Sequence, residues 1–265
     1  MKTLNNHKLL IDNECPMCRI YGGAFEKYKY VEKGTCLAYQ NADEYLMTVV
    51  DKDRARNEIA LLDTSTNEVI YGIDALTKIL ALRIPLIGKI MDLTFVKFFM
   101  SYVYKFISQN RKVIAPSKNP QSVCVPDVQL KYRIAYLVLV AIFSSIVLNK
   151  YMIDVYSLIN LNSSFGRELV ICFGQLFWQY LLLNKILGSQ KWEYMGNLST
   201  VSLIGTFLVI PGFLLPVEFK VMWFGLVVLI MTLEHLRRSK LLQIGIWPTA
   251  SWLIYRFLVL GLLFI

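Results

Sequence analysis

The chain has 265 residues, 55% of them hydrophobic and only 18% charged, with a net charge of +9. A soluble domain carries about 25% charged residues, so this composition excludes a protein that is soluble throughout. The charge is also local: residues 1–79 hold 10 Lys/Arg against 12 Asp/Glu, residues 80–133 hold 9 against 2, and residues 134–265 hold 9 against 5. A basic excess that accompanies apolar sequence, with no base-stacking module, argues against nucleic acid and for anionic lipid head groups.

The five cysteines, Cys15, Cys18, Cys36, Cys124 and Cys172, form an odd set and no disulfide framework. The residues from Met1 to Lys8 have neither an apolar core nor a small-residue cleavage site, so no signal peptide is expected. The N-terminal part is therefore expected in the reducing cytoplasm, where a cysteine pair is catalytic or metal-binding rather than structural.

In chain order, Lys8–Ile11 is a short strand and Cys18–Tyr30 a helix, broken by Gly34. Thr35–Tyr39 is a second strand. Asp43–Val50 is a helix with Asn41 or Asp43 as its cap. Glu58–Asp63 and Glu68–Tyr71 flank Thr64–Asn67 as a hairpin, and Ile73–Leu82 is a helix. The order β-α-β-α-β-β-α is that of an α/β thioredoxin-like domain, assigned to residues 1–114. Its last part, about 86–111, is predicted as one amphipathic helix after Pro85, covering the sheet or lying in a membrane interface.

Residues 115–131 contain Pro116, Pro120 and Pro126 and form a linker. Residues 132–265 are predicted as an all-α multi-pass transmembrane bundle. Its five candidate spans are Tyr132–Leu148, Leu169–Leu187, Leu198–Val217, Phe219–Leu233 and Trp247–Ile265, with four spans as the alternative. Pro211 and Pro216 should kink the third. With the N-terminal domain inside, the inner loops carry Lys185, Lys191, Arg237, Arg238 and Lys240, against Lys150, Arg167 and Lys220 outside. That bias places a multi-pass protein of the cell membrane with its N-terminal domain in the cytoplasm. Arg256 falls mid-way along the fifth span, where a charge needs a partner; Glu234 and His235 are the candidates.

The chemistry concentrates at Cys15-Pro16-Met17-Cys18, which follows the first strand. With Cys15 as N-cap and Pro16 as the first helical residue, Cys15 lies at the positive end of the helix dipole, where unpaired N–H groups stabilise a thiolate. Cys18, one turn on, is the more buried resolving thiol. Asp12 would raise a neighbouring thiol's pKa, so its expected role is to accept the resolving thiol's proton or to cap the turn. A zinc site needs four ligands, and His7, Cys36 and Cys124, the only completions before the membrane region, lack ligand spacing. No metal and no organic cofactor is expected.

Asp12-x-x-Cys15-x-x-Cys18 resembles the signature of the DCC family of thiol-disulfide oxidoreductases. Glu68-Val69-Ile70-Tyr71-Gly72-Ile73-Asp74-Ala75-Leu76 is similar to that family's Gly-x-x-Ala stretch. Tyr104-Lys105-Phe106-Ile107-Ser108-Gln109-Asn110-Arg111 is similar to its closing Tyr…Asn-Arg. The resemblance runs from about residue 8 to 112 and implies Asp12, Cys15 and Cys18 as active-site residues. Asn13 stands where the family often has Gly, and Asn also tolerates a positive φ. The resulting expectation is a membrane-anchored oxidoreductase exchanging disulfides with a protein or small-molecule thiol. The rival readings are a non-catalytic membrane transport or assembly protein with a docking domain, and a metal-binding sensor.

Overall fold

A computed structural model describes residues 3–117, 127–159 and 161–263. The chain divides into two compact units, Met1–Tyr132 and Arg133–Ile265.

The first unit is built on a four-stranded mixed sheet. Strand β1 (His7–Ile11) lies between β2 (Cys36–Ala38), parallel to it, and β3 (Ala60–Asp63), antiparallel; β4 (Val69–Tyr71) pairs antiparallel with β3. The run Leu9-Leu10-Ile11 is apolar without alternation because both faces of β1 are covered. Leu9 and Ile11 pack with Phe25, Ala75 and Ile79 on one side, and Leu10 packs with Tyr39, Val50 and Ala60 on the other.

Helix α1 (Pro16–Lys27) follows β1. It stops short of the expected Tyr30 because Lys29 turns left-handed (φ 55°), and the Tyr30 N–H bonds back to the Phe25 carbonyl. Helix α2 (Glu44–Val49) is capped by Asp43, whose carboxylate accepts from the Leu46 N–H at 2.8 Å. A further short helix, α3 (Lys52–Asn57), is capped in the same way by Asp51. Helix α4 (Gly72–Ala81) covers the face of the sheet that carries Leu9 and Ile11.

The stretch expected as a single helix over about 86–111 is two helices, α5 (Pro85–Met91) and α6 (Thr94–Ile114). Leu93 between them is extended (φ −70°, ψ 116°), so the helical hydrogen-bond ladder restarts there. The break lets α5 pack along α4 while α6 reaches the segment entering β3. There the Tyr104 hydroxyl accepts the Ile59 N–H at 3.0 Å, and Ser108 hydrogen-bonds the Asn57 carbonyl. On its other face α6 leaves Phe95, Phe98 and Phe99 exposed, Phe95 to 80%.

Glycine is required at Gly72. Its φ is +62°, and a Cβ would fall 2.6 Å from the Glu58 Oε2 and 3.2 Å from the Tyr104 ring. Gly72→Ala should therefore destabilise the first unit by about 2 kcal/mol, from backbone strain and displacement of Glu58 together. The urea midpoint of the full chain, followed by proteolysis at sites in residues 3–117, measures this; an unchanged midpoint would refute the required conformation.

The second unit is helical: α7 (Leu130–Ser157), α8 (Phe165–Leu187), α9 (Lys191–Val209), α10 (Val217–Leu241) and α11 (Trp247–Leu263). Each expected span falls within one of these helices or begins in one. The third begins in α9, which gives way to a 3-10 segment, Ile210–Leu214, at Pro211, so the proline ends the α-helix rather than kinking it. Two stretches are long and apolar enough to cross a membrane, Leu130–Ser157 and the near-continuous helical run Phe165–Leu214. Small residues allow close packing inside: Gly205 lies against Met231 and Gly174 against Tyr255. Of the expected linker, residues 118–126, including Cys124, lie outside the described residues.

Candidate active site

Cys15 is the N-cap of α1 with extended backbone (φ −81°, ψ 117°), and Pro16 follows inside the first turn. The sulfur therefore meets the amide end of the helix, as the sequence suggests. Both cysteines are buried, Cys15 to 2% exposure and Cys18 to 4%, and both are free thiols. The Cys18 thiol donates to the Cys15 sulfur, and this is the main reason the Cys15 pKa falls from 9.0 to about 6. Burial opposes the shift; the Cys18 backbone N–H and the Arg111 guanidinium assist it, and Asp12 opposes it. The same hydrogen bond, with burial, pushes Cys18 well above the ordinary thiol range. One thiol is thus held as a thiolate near neutral pH and its neighbour as a thiol.

Asp12 is buried at the end of β1. Its Oδ1 accepts from the Gln40 Nε2 at 2.8 Å and the Glu14 N–H at 3.0 Å. Its Oδ2 faces the Arg111 guanidinium at 3.5 Å and has no hydrogen bond among the described residues. Asn13 does not take a positive φ; its N–H instead bonds the Gln40 side-chain carbonyl at 3.3 Å.

Arg111 is itself buried and anchored to the segment before β3. It donates to the Arg56 carbonyl at 2.8 Å and the Asn57 carbonyl at 3.2 Å. The Tyr21 hydroxyl, one turn beyond Cys18, is hydrogen-bonded to the Cys18 sulfur, and burial raises its pKa. Tyr104 is pushed up to about 12, chiefly by burial.

The three residues singled out in the sequence are therefore brought together, and Arg111, Tyr21, Tyr104 and Gln40 join them. Arg111 and Tyr104 stand in the closing Tyr…Asn-Arg stretch, a signal that pointed to the family without indicating what they touch. Tyr21 and Gln40 carry no sequence signal. The third thiol of the unit, Cys36, donates to the Gly22 carbonyl at 3.5 Å. Burial first, and then Glu26, push it up to about 12, so it is no nucleophile at neutral pH. Among the described residues no three His, Cys, Asp or Glu side chains converge as metal ligands.

Residues 9–115 match the family model of the DCC1-like thiol-disulfide oxidoreductase. No curated protein and no solved structure matches the chain significantly. The DCC1-like match opens in β1 and closes at the end of α6, so it spans the whole Asp12–Cys15–Cys18–Arg111 arrangement. It stops short of the five helices of the second unit.

Proposed function

We propose that the protein is a membrane-anchored thiol-disulfide oxidoreductase whose N-terminal unit is thioredoxin-like. The observation that carries this reading is Cys15 at the start of α1, held near pKa 6 by the Cys18 thiol, the Cys18 N–H and Arg111. The Cys15 thiolate attacks one sulfur of a substrate disulfide, forming a mixed disulfide and releasing the other sulfur as a thiolate. Asp12 Oδ2, which has no hydrogen bond among the described residues, accepts the Cys18 proton. The Cys18 thiolate then attacks the Cys15 sulfur, frees the second substrate thiol and leaves a Cys15–Cys18 disulfide. Two electrons pass from the pair to the substrate, and the reverse sequence oxidises a dithiol. The pair carries the electrons itself, so no organic cofactor is needed.

Cys15 is covered, so exchange proceeds from a locally opened form of the N-terminal unit. The sheet, in which parallel β1–β2 is joined by antiparallel β3–β4, supports the thioredoxin-like reading.

We assign all five helices of the second unit to the bilayer. Each exposes large apolar side chains: Leu139 and Ile146 on α7, Val170 and Phe177 on α8, Phe207 on α9, Leu229 and Leu233 on α10, Phe257 on α11. Apolar surface on this scale has no soluble counterpart without a covering partner. The exposed Phe95, Phe98 and Phe99 of α6, among the lysines of residues 80–133, suit the lipid interface. The Lys/Arg bias puts the cysteine pair on the cytoplasmic side.

The test is to trap the substrate. Cys18→Ser in the full chain should accumulate a mixed disulfide through Cys15, released by reductant and absent from the Cys15→Ser/Cys18→Ser double variant. A Cys18→Ser protein that traps nothing, in membranes where the wild-type pair cycles between reduced and oxidised forms, would overturn the exchange mechanism.

A further inference from the structure

We propose that the helical unit binds a halide-sized monovalent anion beside Arg256. The residues expected to pair with this arginine do not. Glu234 bonds Arg237 at 2.6 Å and Arg238 at 2.7 Å, and His235 bonds Thr249 at 2.7 Å and Tyr194 at 3.2 Å. Glu168, the remaining acid nearby, spends its carboxylate on Arg167 at 3.4 Å and on the Tyr156 hydroxyl. The Arg256 guanidinium instead lies over the Trp252 ring, 4.9 Å from its centroid. Among the described residues it has no hydrogen-bond or ion-pair partner, and its Nε is fully buried.

Arg256 lines a cavity of about 40 Å³ between α7, α8, α9, α10 and α11. Two further polar groups on the wall are unsatisfied. The Gln175 amide, on a side chain exposed to 3%, has neither oxygen nor nitrogen bonded, and the Ser199 hydroxyl, on a residue exposed to 2%, has no partner. A buried polar group without a partner is costly, and three around one space are explained by something in it. The donors are a guanidinium, an amide NH2 and a hydroxyl, and the guanidinium's charge is met only at longer range, by Glu168, which Arg167 already pairs. Val140 and Val227 make part of the wall apolar, which strengthens the attraction.

Size narrows the ligand further. A water needs about 10–15 Å³ of such space, so the cavity takes roughly one halide-sized ion with a water. The water can donate to the Gln175 Oε1. Phosphate, or a carboxylate with a chain attached, is too large and finds too few cations.

The test uses the full chain in zwitterionic lipid nanodiscs, with potassium chloride against potassium gluconate at equal ionic strength. Saturating chloride should raise the melting temperature by ~3 °C. Arg256→Gln should lose the chloride increment, and Gln175→Leu should reduce it. Should Arg256→Gln fail to fold, bromide-soaked crystals of the wild-type chain should show an anomalous peak in the cavity. Equal melting in both salts, a chloride shift retained in Arg256→Gln, or a cavity without bromide would each overturn the site.

Discussion

Alkylation of Cys15 in the full chain should follow a titration near pH 6 and stay level from about pH 7 upward, whereas an ordinary thiol is still gaining reactivity at pH 8. The sign follows from the causes. Hydrogen bonds from Cys18 and the charge of Arg111 favour the thiolate by more than burial and Asp12 disfavour it. With the pKa lowered from 9.0 to about 6, the thiolate fraction at pH 7 rises on the order of 90-fold over an unperturbed thiol. The rate rises much less. Nucleophilicity falls with pKa along a Brønsted slope of about 0.4–0.5, which over three units removes roughly 20-fold, leaving a gain of about fourfold. The position of the profile on the pH axis is therefore diagnostic, and the absolute rate is not.

Linkage gives a second readout of the same shift. A depressed pKa adds stability that is fully present above the unfolded thiol's pKa and is lost as pH falls through the folded value. The reduced N-terminal unit should thus lose stability relative to a Cys15→Ser variant as pH drops from about 9 to about 6. Because Cys15 is covered, a small reagent such as iodoacetamide should reach it far faster than a bulky maleimide. A profile centred near pH 9 would sink the assignment of Cys15 as nucleophile.

How much of this was legible depended on range in sequence. The helix start at Cys15 and Pro16, and the different settings of the two thiols, follow from residues three apart, where local geometry decides. The strands and the hairpin were legible because apolar runs and turn residues are also local signals. Helix α3 is not legible in the sequence: Lys52–Asn57 is polar and rests on the Asp51 cap, with no apolar periodicity to mark it. The break at Leu93 is not legible because Lys89 and Lys97 lie eight residues apart, so polar positions keep one helical face on either side of it. The pairing of Arg256 with Glu234 or His235 was plausible from position along the helices. It fails because Arg237 and Arg238, one turn from Glu234, take its carboxylate first. The site's cation was the least legible: Arg111 reaches Asp12 only after the sheet forms and α6 crosses to the segment before β3.

That late-formed contact yields the largest expected effect on folding. Arg111→Met should cost the N-terminal unit about 3 kcal/mol, because it leaves the buried Asp12 carboxylate facing no cation and removes the donors to the Arg56 and Asn57 carbonyls. Breaking one side of a buried pair is costly even where the intact pair contributes little, so Asp12→Asn in the Arg111→Met background should recover part of the loss. The two single variants should move Cys15 in opposite directions. Losing the guanidinium raises its pKa, and losing the carboxylate lowers it. Denaturant unfolding of the three variants, paired with Cys15 alkylation across pH, tests both halves. If Asp12→Asn and Arg111→Met shift the alkylation profile the same way, the two side chains do not act on Cys15 by charge. If Arg111→Met costs under about 1 kcal/mol, the arginine is not what holds α6 to the entry of β3.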